Sequence, residues 1–460
     1  MSACYDPAPA PSPNQKIRSN DVDIDRIDYT DPSLTSDPYR LLDYLAEHKP
    51  VYREPHHGVV MVTGHEEAIA VLRAPDVFSS STIVAGPDPM SLFPERPEGD
   101  DITEFVNANR QYLPQNDQIV SSDPPSHTAQ RALLMGLITP KRLKENEEFI
   151  WRLTDRQLDV ILARGTAEIM ADYAQPYTLL VIADLLGVPE EDHETLLGRR
   201  SGNQMLLGQR RSAAEAEAGR GQQHDDGERA TGHNSLEIFY DYFSARIAER
   251  RQQPLNDVLT GMAQALFPDG TVPEPIEVAR IASNLFAAGQ ETTVRLIGTA
   301  LRRIADEPET QALLRAHRDL VPRFIEETLR TEGPILGEYR LAVKTTELGG
   351  VHIPAGTPVL LANGAANRDP RQFECPAEFR VNRENVRRHI AFGHGIHTCP
   401  GAPLARSEAR ITVERLLDRT TDIRINEEAH GPAGSRRYDY MKTYMFRGLT
   451  SLHLDFTVRG

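Results

Sequence analysis

The sequence is poor in cysteine and in positive charge, and each shortage excludes a class of protein. Its 460 residues include only Cys4, Cys375 and Cys399, which are too few and too scattered for a disulfide framework. The odd number fits a reducing cytoplasm better than a secreted product, and it leaves a cysteine available as a ligand. Acidic side chains outnumber basic ones by 67 to 51, and the resulting net charge of −16 argues against a general nucleic-acid partner.

The sequence also lacks an uninterrupted apolar run that could enter a membrane. Residues 1–21 contain no apolar stretch after their charged residues, so they predict neither a secretory signal nor an anchor. The most apolar long segment, residues 276–305, is interrupted by side chains that a bilayer core does not readily accept: Arg280, Asn284, Gln290, Glu291 and Arg295. We therefore expect a buried helix at 276–305 in a soluble, cytoplasmic protein.

Apolar side chains spaced by three and four residues dominate the chain, so the predicted fold class is mainly α with a small β part. β-branched and aromatic residues on both sides of a Pro-His-His-Gly turn predict a β-hairpin at 50–64, and a second β-rich segment covers 340–361. The helical spacing is clearest over residues 149–163, 235–251, 311–320 and 404–417.

Two polar regions stand outside this pattern. Residues 1–35 are rich in proline, aspartate and serine and are expected to form a flexible arm, which leaves residues 36–460 as a single domain. Residues 210–233 are low in large apolar side chains and are expected to form a mobile connection.

One cysteine has an unusual setting, the segment FGHGIHTCPG at residues 392–401. Its glycines allow the backbone to approach a bulky group, and Pro403 favours a helix whose positive end would stabilise the thiolate of Cys399. Two other interpretations are open. Cys399 could be a small buried apolar residue, or it could bind zinc with His394 and His397, although a second ligand pair at the usual spacing is missing.

The same segment resembles the F-G-x-G-x-H-x-C-x-G signature of the cytochrome P-450 family, the heme-thiolate monooxygenases, in its soluble bacterial type. The resemblance implies the P-450 fold, with heme b between a long central helix and the loop that carries Cys399. It also implies that Cys399 is the axial thiolate, that Phe392 packs near the sulfur, that Gly401 permits close approach of the heme, and that His397 reaches a heme propionate. Thiolate ligation pushes electron density to iron and favours O–O cleavage.

A glutamate and two arginines resemble the family's structural triad. FIEETLR places Glu327 and Arg330 on one helix face, and AEFRVNREN supplies Arg383 in an F-x-x-x-R pattern. Periodicity alone also permits Glu326 as the partner of Arg330, but the family pattern selects Glu327. An isolated pair of this kind is usually a weak surface interaction.

The predicted long helix contains AAGQETT, which resembles the family's A-G-x-[DE]-T-T motif. The resemblance implies that Thr292 hydrogen-bonds O2 and that Glu291 connects to a proton source. Gly289 costs about 1 kcal/mol in a helix relative to alanine, so close approach of O2 or substrate is one reason for it. The alternative for Thr292 is a hydrogen bond to the carbonyl group four residues earlier.

Heme carries two propionates, for which arginines and histidines are suitable partners. DPPSHTAQR resembles the family's D-P-P-x-H-x-x-x-R and supplies His127 and Arg131, while Arg340 matches another propionate arginine and joins His397. Individually, each of these residues could equally be a surface charge.

The resemblance further implies a substrate and an electron donor. No dinucleotide fingerprint or flavin domain fits the rest of the sequence, so electrons would come from a separate ferredoxin and its reductase. The substrate would be a lipophilic small molecule in a pocket formed by Leu285, Ala288, Ile335, Leu336, Thr443 and Met445. A basic docking face would be formed by Lys141, Arg142, Lys144, Arg387, Arg388, Arg406 and Arg410.

Two other functions are possible for a protein with these motifs, and Pro400 is expected to affect the thiolate. A heme-thiolate enzyme could use peroxide or perform coupling, desaturation or decarboxylation, although Glu291 and Thr292 count against a peroxide specialist. A non-enzymatic heme sensor could use Cys375 and Pro376. Pro400 lacks an N–H group that could hydrogen-bond the sulfur, which predicts an electron-rich thiolate.

Overall fold

The structure, a computed structural model, describes residues 24–136, 138–193 and 237–460. The expected connection at 210–233 lies outside the described residues. Helices run in chain order over α1 Tyr39–His48, α2 His65–Leu72, α3 Thr103–Ala108, α4 Ser126–Met135, α5 Pro140–Arg164, α6 Gln175–Leu185, α7 Glu237–Gln252, α8 Val258–Gln264, α9 Pro275–Asp306, α10 Pro308–Ala316, α11 Val321–Glu332, α12 Asn363–Ala366, α13 Ala402–Arg419 and α14 Glu427–His430.

The strands are short and form three small sheets. They are β1 Val51–Arg53, β2 Val60–Val62, β3 Phe78–Ser79, β4 Thr166–Glu168, β5 Glu338–Ala342, β6 Thr346–Leu348, β7 Val351–Ile353, β8 Pro358–Leu361, β9 Thr420–Ile425 and β10 His453–Val458. The sheet orders are β1-β2-β8-β5-β3, β4-β10-β9 and β6-β7. Among the strands of the described residues, only β2 and β8 pair in parallel. The mainly helical class with a small β part is confirmed.

The predicted hairpin is present as β1 and β2, with Val51 opposite Val62 and Arg53 opposite Val60. The turn needs a residue in the left-handed region, and Gly58 supplies it with φ of 71°. The second β-rich segment contains β5 to β8, so the β predictions are confirmed at both places.

Helix α9 is the central helix of the fold. A capping box between Glu274 and Glu277 and a proline at its first position start it, as the local sequence Glu-Pro-Ile-Glu favours. Apolar residues such as Phe286, Ile297 and Leu301 are completely buried, and α9 contacts α6, α7 and α13. The predicted buried helix at 276–305 is therefore confirmed. No helix among the described residues is long and apolar enough to cross a membrane.

The end of the predicted N-terminal arm packs against this domain. Of residues 1–35, the structure describes 24–35, where Ile24 and Tyr29 are buried. The Tyr29 hydroxyl lies 2.7 Å from that of Tyr339 on β5, and Arg447 donates to the Thr35 carbonyl at 2.6 Å. Buried apolar and aromatic groups thus hold this part of the arm in place.

Candidate functional site

The loop before α13 holds Cys399 in a defined conformation. The Cys399 N–H donates to the Phe392 carbonyl at 2.8 Å, which closes the loop, and the Thr398 N–H donates to the Gly395 carbonyl at 3.2 Å. Gly395 has φ of 70°, and a Cβ there would overlap the carbonyl oxygen of Leu72 at the end of α2. Only glycine fits this close approach, so α2 helps to fix the loop.

The sulfur of Cys399 is a free thiol that accepts hydrogen bonds from the start of α13. Burial raises the pKa of the Cys399 thiol, whereas the N–H of Gly401, the charge of Arg131 and the N–H of Ala402 act in the opposite direction. The effect of burial on the pKa of Cys399 is therefore larger than the stabilisation of the thiolate by the start of α13. Bringing a positive metal ion to the sulfur would favour the thiolate.

Two histidines and two arginines form a basic cluster beside this loop, which we call the cationic cluster: His127, Arg131, Arg340 and His397. The rings of His127 and His397 are 4.1 Å apart, and Arg131 donates to the carbonyl of Thr398 at 2.6 Å. Burial and then the charge of Arg340 lower the pKa of His397 to about 3. Burial and then the charge of Arg131 lower the pKa of His127.

The cationic cluster fits the carboxylates of heme. The Nε2 atoms of His127 and His397 are buried and lack a hydrogen-bond partner among the described residues, although buried polar atoms normally have one. Arg340 is only 2% exposed, and it forms an ion pair with the carboxylate of Glu338 at 3.1 Å. Two added carboxylates would accept N–H groups from these histidines and balance the arginine charges. The donors present therefore suit heme beside a free thiol.

The structure brings the predicted triad together in a fully buried network. Arg330 donates to both carboxylate oxygens of Glu327 at 2.8 Å, and Arg383 Nε donates to Glu327 at 3.0 Å. The remaining arginine N–H groups bind backbone carbonyls, including those of Asn367 and Glu378. These contacts tie α11 to the chain that leads into the Cys399 loop.

Glu326, the alternative partner, belongs to a different network. It accepts from Arg406 Nε at 2.6 Å and lies 2.9 Å from His389 Nε2. Burial alone would raise the pKa of Glu326, but hydrogen bonds and charge from His389 and Arg406 lower it to about 2. Arg406 also stacks on the ring of Phe392, with 4.5 Å between its guanidinium carbon and the ring centroid. The second glutamate thus supports the signature loop from its other side.

The predicted proton-transfer pair lies on the accessible face of α9. Ala288 is exposed, and Glu291 and Thr292 are partly buried, although most of the helix is covered. Thr292 Oγ1 donates to the Ala288 carbonyl at 3.1 Å, which is the alternative noted from sequence. Glu291 forms an ion pair with Arg295.

Gly289 lies close to a side chain of the neighbouring helix α6. A Cβ at Gly289 would lie 3.3 Å from Cδ1 of Ile182 on α6, so close packing of the two helices also favours glycine at this position. Helix α9 is continuous through this position.

The six residues predicted for the substrate pocket have different surroundings in the structure. An open cleft includes Leu336 and Thr443 in its walls, together with Tyr29, Leu41 and Leu360. Leu285 instead packs in the main core, Met445 packs against the cluster around Tyr339, and Ile335 pairs with Phe446. Ala288 lies on the accessible face of α9.

Several predicted docking residues are already neutralised. Arg406 binds Glu326, Arg410 binds Glu147 and Glu414, and Arg142 and Lys141 lie near Glu145. Lys144, Arg387 and Arg388 have no ion pair with any residue that the structure describes, and Arg387 and Arg388 are exposed.

The sequence interpretation missed two site residues. Arg295 is four residues after Glu291, a spacing that favours an ion pair on one helix face, and it was noted only as an interruption of an apolar run. Asn367 accepts from Arg330 through its carbonyl and from the Ile390 N–H through its side chain at 2.7 Å. No local pattern indicates that second role.

Comparison with known proteins identifies the family. A family model described as Cytochrome P450 matches residues 228–421. Cytochrome P450 109 from Bacillus spizizenii is 32% identical over 386 residues, which cover 84% of this chain and 85% of that protein. The substrate-free structure of cytochrome P450 CYP150A6 from Mycobacterium marinum has 48% identity and a TM-score of 0.86, covering 95% of this chain and 100% of that one.

A second similar structure contains a ligand. CYP109E1 from Bacillus megaterium, in complex with corticosterone, has 25% identity and a TM-score of 0.74, covering 92% of this chain and 99% of that chain. Together with the fold, these similarities place the chain in the cytochrome P450 family. It is an oxidoreductase that incorporates oxygen, and its cofactor is heme with a cysteine thiolate as the iron ligand.

Proposed function

We propose that this cytochrome P450 hydroxylates a lipophilic small molecule, with electrons from a separate ferredoxin and its reductase. The observation that carries the proposal is the free thiol of Cys399 beside the cationic cluster with two unpartnered buried imidazole nitrogens. Monooxygenation consumes O2, two electrons and two protons, and it yields hydroxylated product and water.

The residues assigned to heme have distinct tasks. Cys399 supplies the thiolate, Phe392 covers it, and Gly401 lets the backbone reach the sulfur without a side chain in between. The cationic cluster holds the propionates by charge-assisted hydrogen bonds. Bound heme supplies the oxygen-activation chemistry, which the thiolate promotes by donating electron density.

Two residues of α9 move protons in this proposal. With heme in place, the Thr292 hydroxyl would turn from the Ala288 carbonyl and donate a hydrogen bond to O2. Glu291 carries protons to Thr292 from the solvent side, for which its partial exposure is suited. The apolar surroundings exclude bulk water from the reacting atoms.

The lipophilic substrate is supported by apolar surface at two places in the structure. Ala288 lies on the accessible face of α9, and half of the residues that line the cleft beside β5 are leucine, methionine or alanine. The similar CYP109E1 is described in complex with corticosterone, so a steroid-like molecule is a reasonable first probe.

Exposed positive charge near the Cys399 loop supports a ferredoxin as the electron donor. The exposed side chains of Arg387 and Arg388 lie close in sequence to the Cys399 loop, and they offer positive charge on an acidic protein. A ferredoxin with an acidic surface would be attracted to this face, and high ionic strength would weaken the attraction.

A ligand screen followed by turnover tests the proposal. Purified holoenzyme is titrated with corticosterone, a long-chain fatty acid, a monoterpene and, as a polar control, glucose, and the spin-state shift is recorded. Positive ligands are then supplied with ferredoxin, reductase and NADPH, or with hydrogen peroxide alone. We expect shifts with lipophilic ligands only and product with the ferredoxin system. Turnover with peroxide alone would instead support the peroxide-using alternative, and binding without any oxidation would support a sensor.

A further inference from the structure

The proposed proton carrier Glu291 is held by a residue outside the known motif. Arg295, one turn further along α9, donates from Nη2 to Glu291 Oε1, and from Nη1 to the carbonyl of Leu449. The side chain of Arg295 is 10% exposed and that of Glu291 is 22% exposed. One guanidinium group therefore joins α9 to the loop before β10.

That loop holds Arg295 closely. A Cβ at Gly448 would overlap three carbon atoms of the Arg295 side chain, so the backbone of the loop lies directly on the arginine stem. Leu449 is fully buried and pairs with Tyr440, and the Gly448 carbonyl accepts from the Met441 N–H at 3.0 Å. The loop is thus anchored independently of Arg295.

The ion pair between Arg295 and Glu291 can hold the carboxylate in one position. A carboxylate that is mostly removed from water needs a partner, and arginine is a suitable one because it keeps its charge and donates in a rigid fork. With one branch of the fork on a fixed carbonyl, the other branch holds the Glu291 carboxylate at a defined position on α9.

We propose that Arg295 is a positioning residue for proton delivery, and that Gly448 and Leu449 set its orientation. The inference rests on the proposed role of Glu291 and Thr292. Coupled turnover uses O2, two electrons and two protons to give product and water, whereas uncoupled turnover uses the same electrons and protons to release hydrogen peroxide. Misplacing Glu291 delays proton delivery and increases the peroxide fraction.

The test measures hydrogen peroxide formed per NADPH consumed, in H2O and in D2O. Holoenzyme, a surrogate ferredoxin and reductase, and corticosterone as the added probe are used throughout. We expect Arg295→Gln to slow turnover on the order of tenfold, as lost proton-transfer catalysis does, and to raise the peroxide fraction and the solvent isotope effect. Arg295→Lys keeps the charge but not the fork, so it should restore these values only in part.

Gly448→Ala tests the loop without touching Glu291 or Thr292. Its backbone does not lie in the left-handed region, so the added methyl group acts only by displacing Arg295. We expect the same direction of change as in Arg295→Gln. Gly261→Ala is the matched control, because a Cβ at Gly261 meets nothing within 4 Å. The reduced carbon monoxide spectrum verifies that each variant is folded and loaded with heme.

The outcomes separate the inference from the function on which it rests. If Glu291→Gln raises the peroxide fraction while Arg295→Gln and Gly448→Ala behave like wild type, Arg295 has no positioning role and the inference is overturned. If Glu291→Gln also behaves like wild type, the proposed proton-transfer role of Glu291 is wrong, and the inference fails with it.

Discussion

Glu327 and Arg330 form a two-point ion pair inside α11, with Nε and Nη2 of the arginine each 2.8 Å from a different carboxylate oxygen. Both side chains are completely buried. Because Arg383 also donates to Glu327 and several carbonyls accept the remaining N–H groups, the charges are balanced and the polar atoms satisfied. The network holds the segment before the Cys399 loop against α11.

Replacing Glu327 by glutamine leaves two buried arginines without their counter-charge. Removal of one partner of a buried ion pair typically costs about 3–5 kcal/mol, so we expect Glu327→Gln to be strongly destabilised and to retain little heme. Urea unfolding and the heme-to-protein ratio measure both effects. Glu384→Gln, at an exposed position, is the control. A Glu327→Gln protein of wild-type stability would refute the structural role.

Glu326 predicts a pH dependence of stability. Its pKa falls from the ordinary 4.5 to about 2 in the folded protein, so its contribution is complete above pH 4.5 and disappears as the pH falls toward 2. The stability advantage of wild type over Glu326→Gln should therefore shrink by about 1–1.5 kcal/mol between pH 6 and pH 3.5. Urea unfolding at both pH values tests this. A constant difference would show that the carboxylate pKa is not lowered by His389 and Arg406.

His397 predicts the strength of heme retention. His397→Ala removes the proposed hydrogen bond to a charged heme propionate. Because such a bond contributes to the free energy of heme binding, we expect the rate of heme loss to increase by about tenfold to a hundredfold. Transfer of heme to excess apomyoglobin measures that rate without turnover. His394→Ala is the control, since His394 lies in the same loop but accepts from Arg73 at 2.9 Å. Equal rates in both variants would place the propionates elsewhere.

Pro400 predicts the heme reduction potential. The sulfur of Cys399 receives N–H groups from Gly401 and Ala402, but Pro400 has none to offer. Pro400→Leu adds an N–H group beside the sulfur, so we expect a higher potential in an equilibrium redox titration. Pro400→Ala should act in the same direction because the change is in the backbone. Unchanged potentials in both variants would dismiss the effect.

The parts of the fold that could be predicted are those marked by residues close together in the sequence. The hairpin at 50–64 is marked by β-branched and aromatic residues on both sides of a Pro-His-His-Gly turn. Helix α9 begins at a proline within a capping box, which needs only four adjacent residues to be identified. The fold class follows from such signals because they are strong and close together in the chain.

In the candidate site, contacts between residues far apart in sequence could not be predicted from local patterns. Glu326 and Glu327 both lie within reach of Arg330 along the helix, and only the distant Arg406 and His389 draw Glu326 into a separate network. Arg410 was expected in a docking face, but Glu147, far away in sequence, binds it. Charge can be counted from sequence, whereas pairing depends on which helices pack together.

The surroundings of neighbouring residues in the predicted substrate pocket differ for a similar reason. Leu336 and Ile335 are neighbours in sequence, yet Leu336 faces the open cleft while Ile335 pairs with Phe446. Successive residues of an extended chain point to opposite sides. The side that each occupies depends on register, which the sequence did not indicate.

The absorption spectrum of the reduced holoenzyme with carbon monoxide tests the central assignment of Cys399 most directly. We predict the strongly red-shifted Soret band of thiolate ligation in wild type and its loss in Cys399→Ser, while Cys375→Ser keeps the band. A wild-type spectrum without that shift, or a Cys399→Ser protein that retains it, would contradict the assignment of this cysteine to iron.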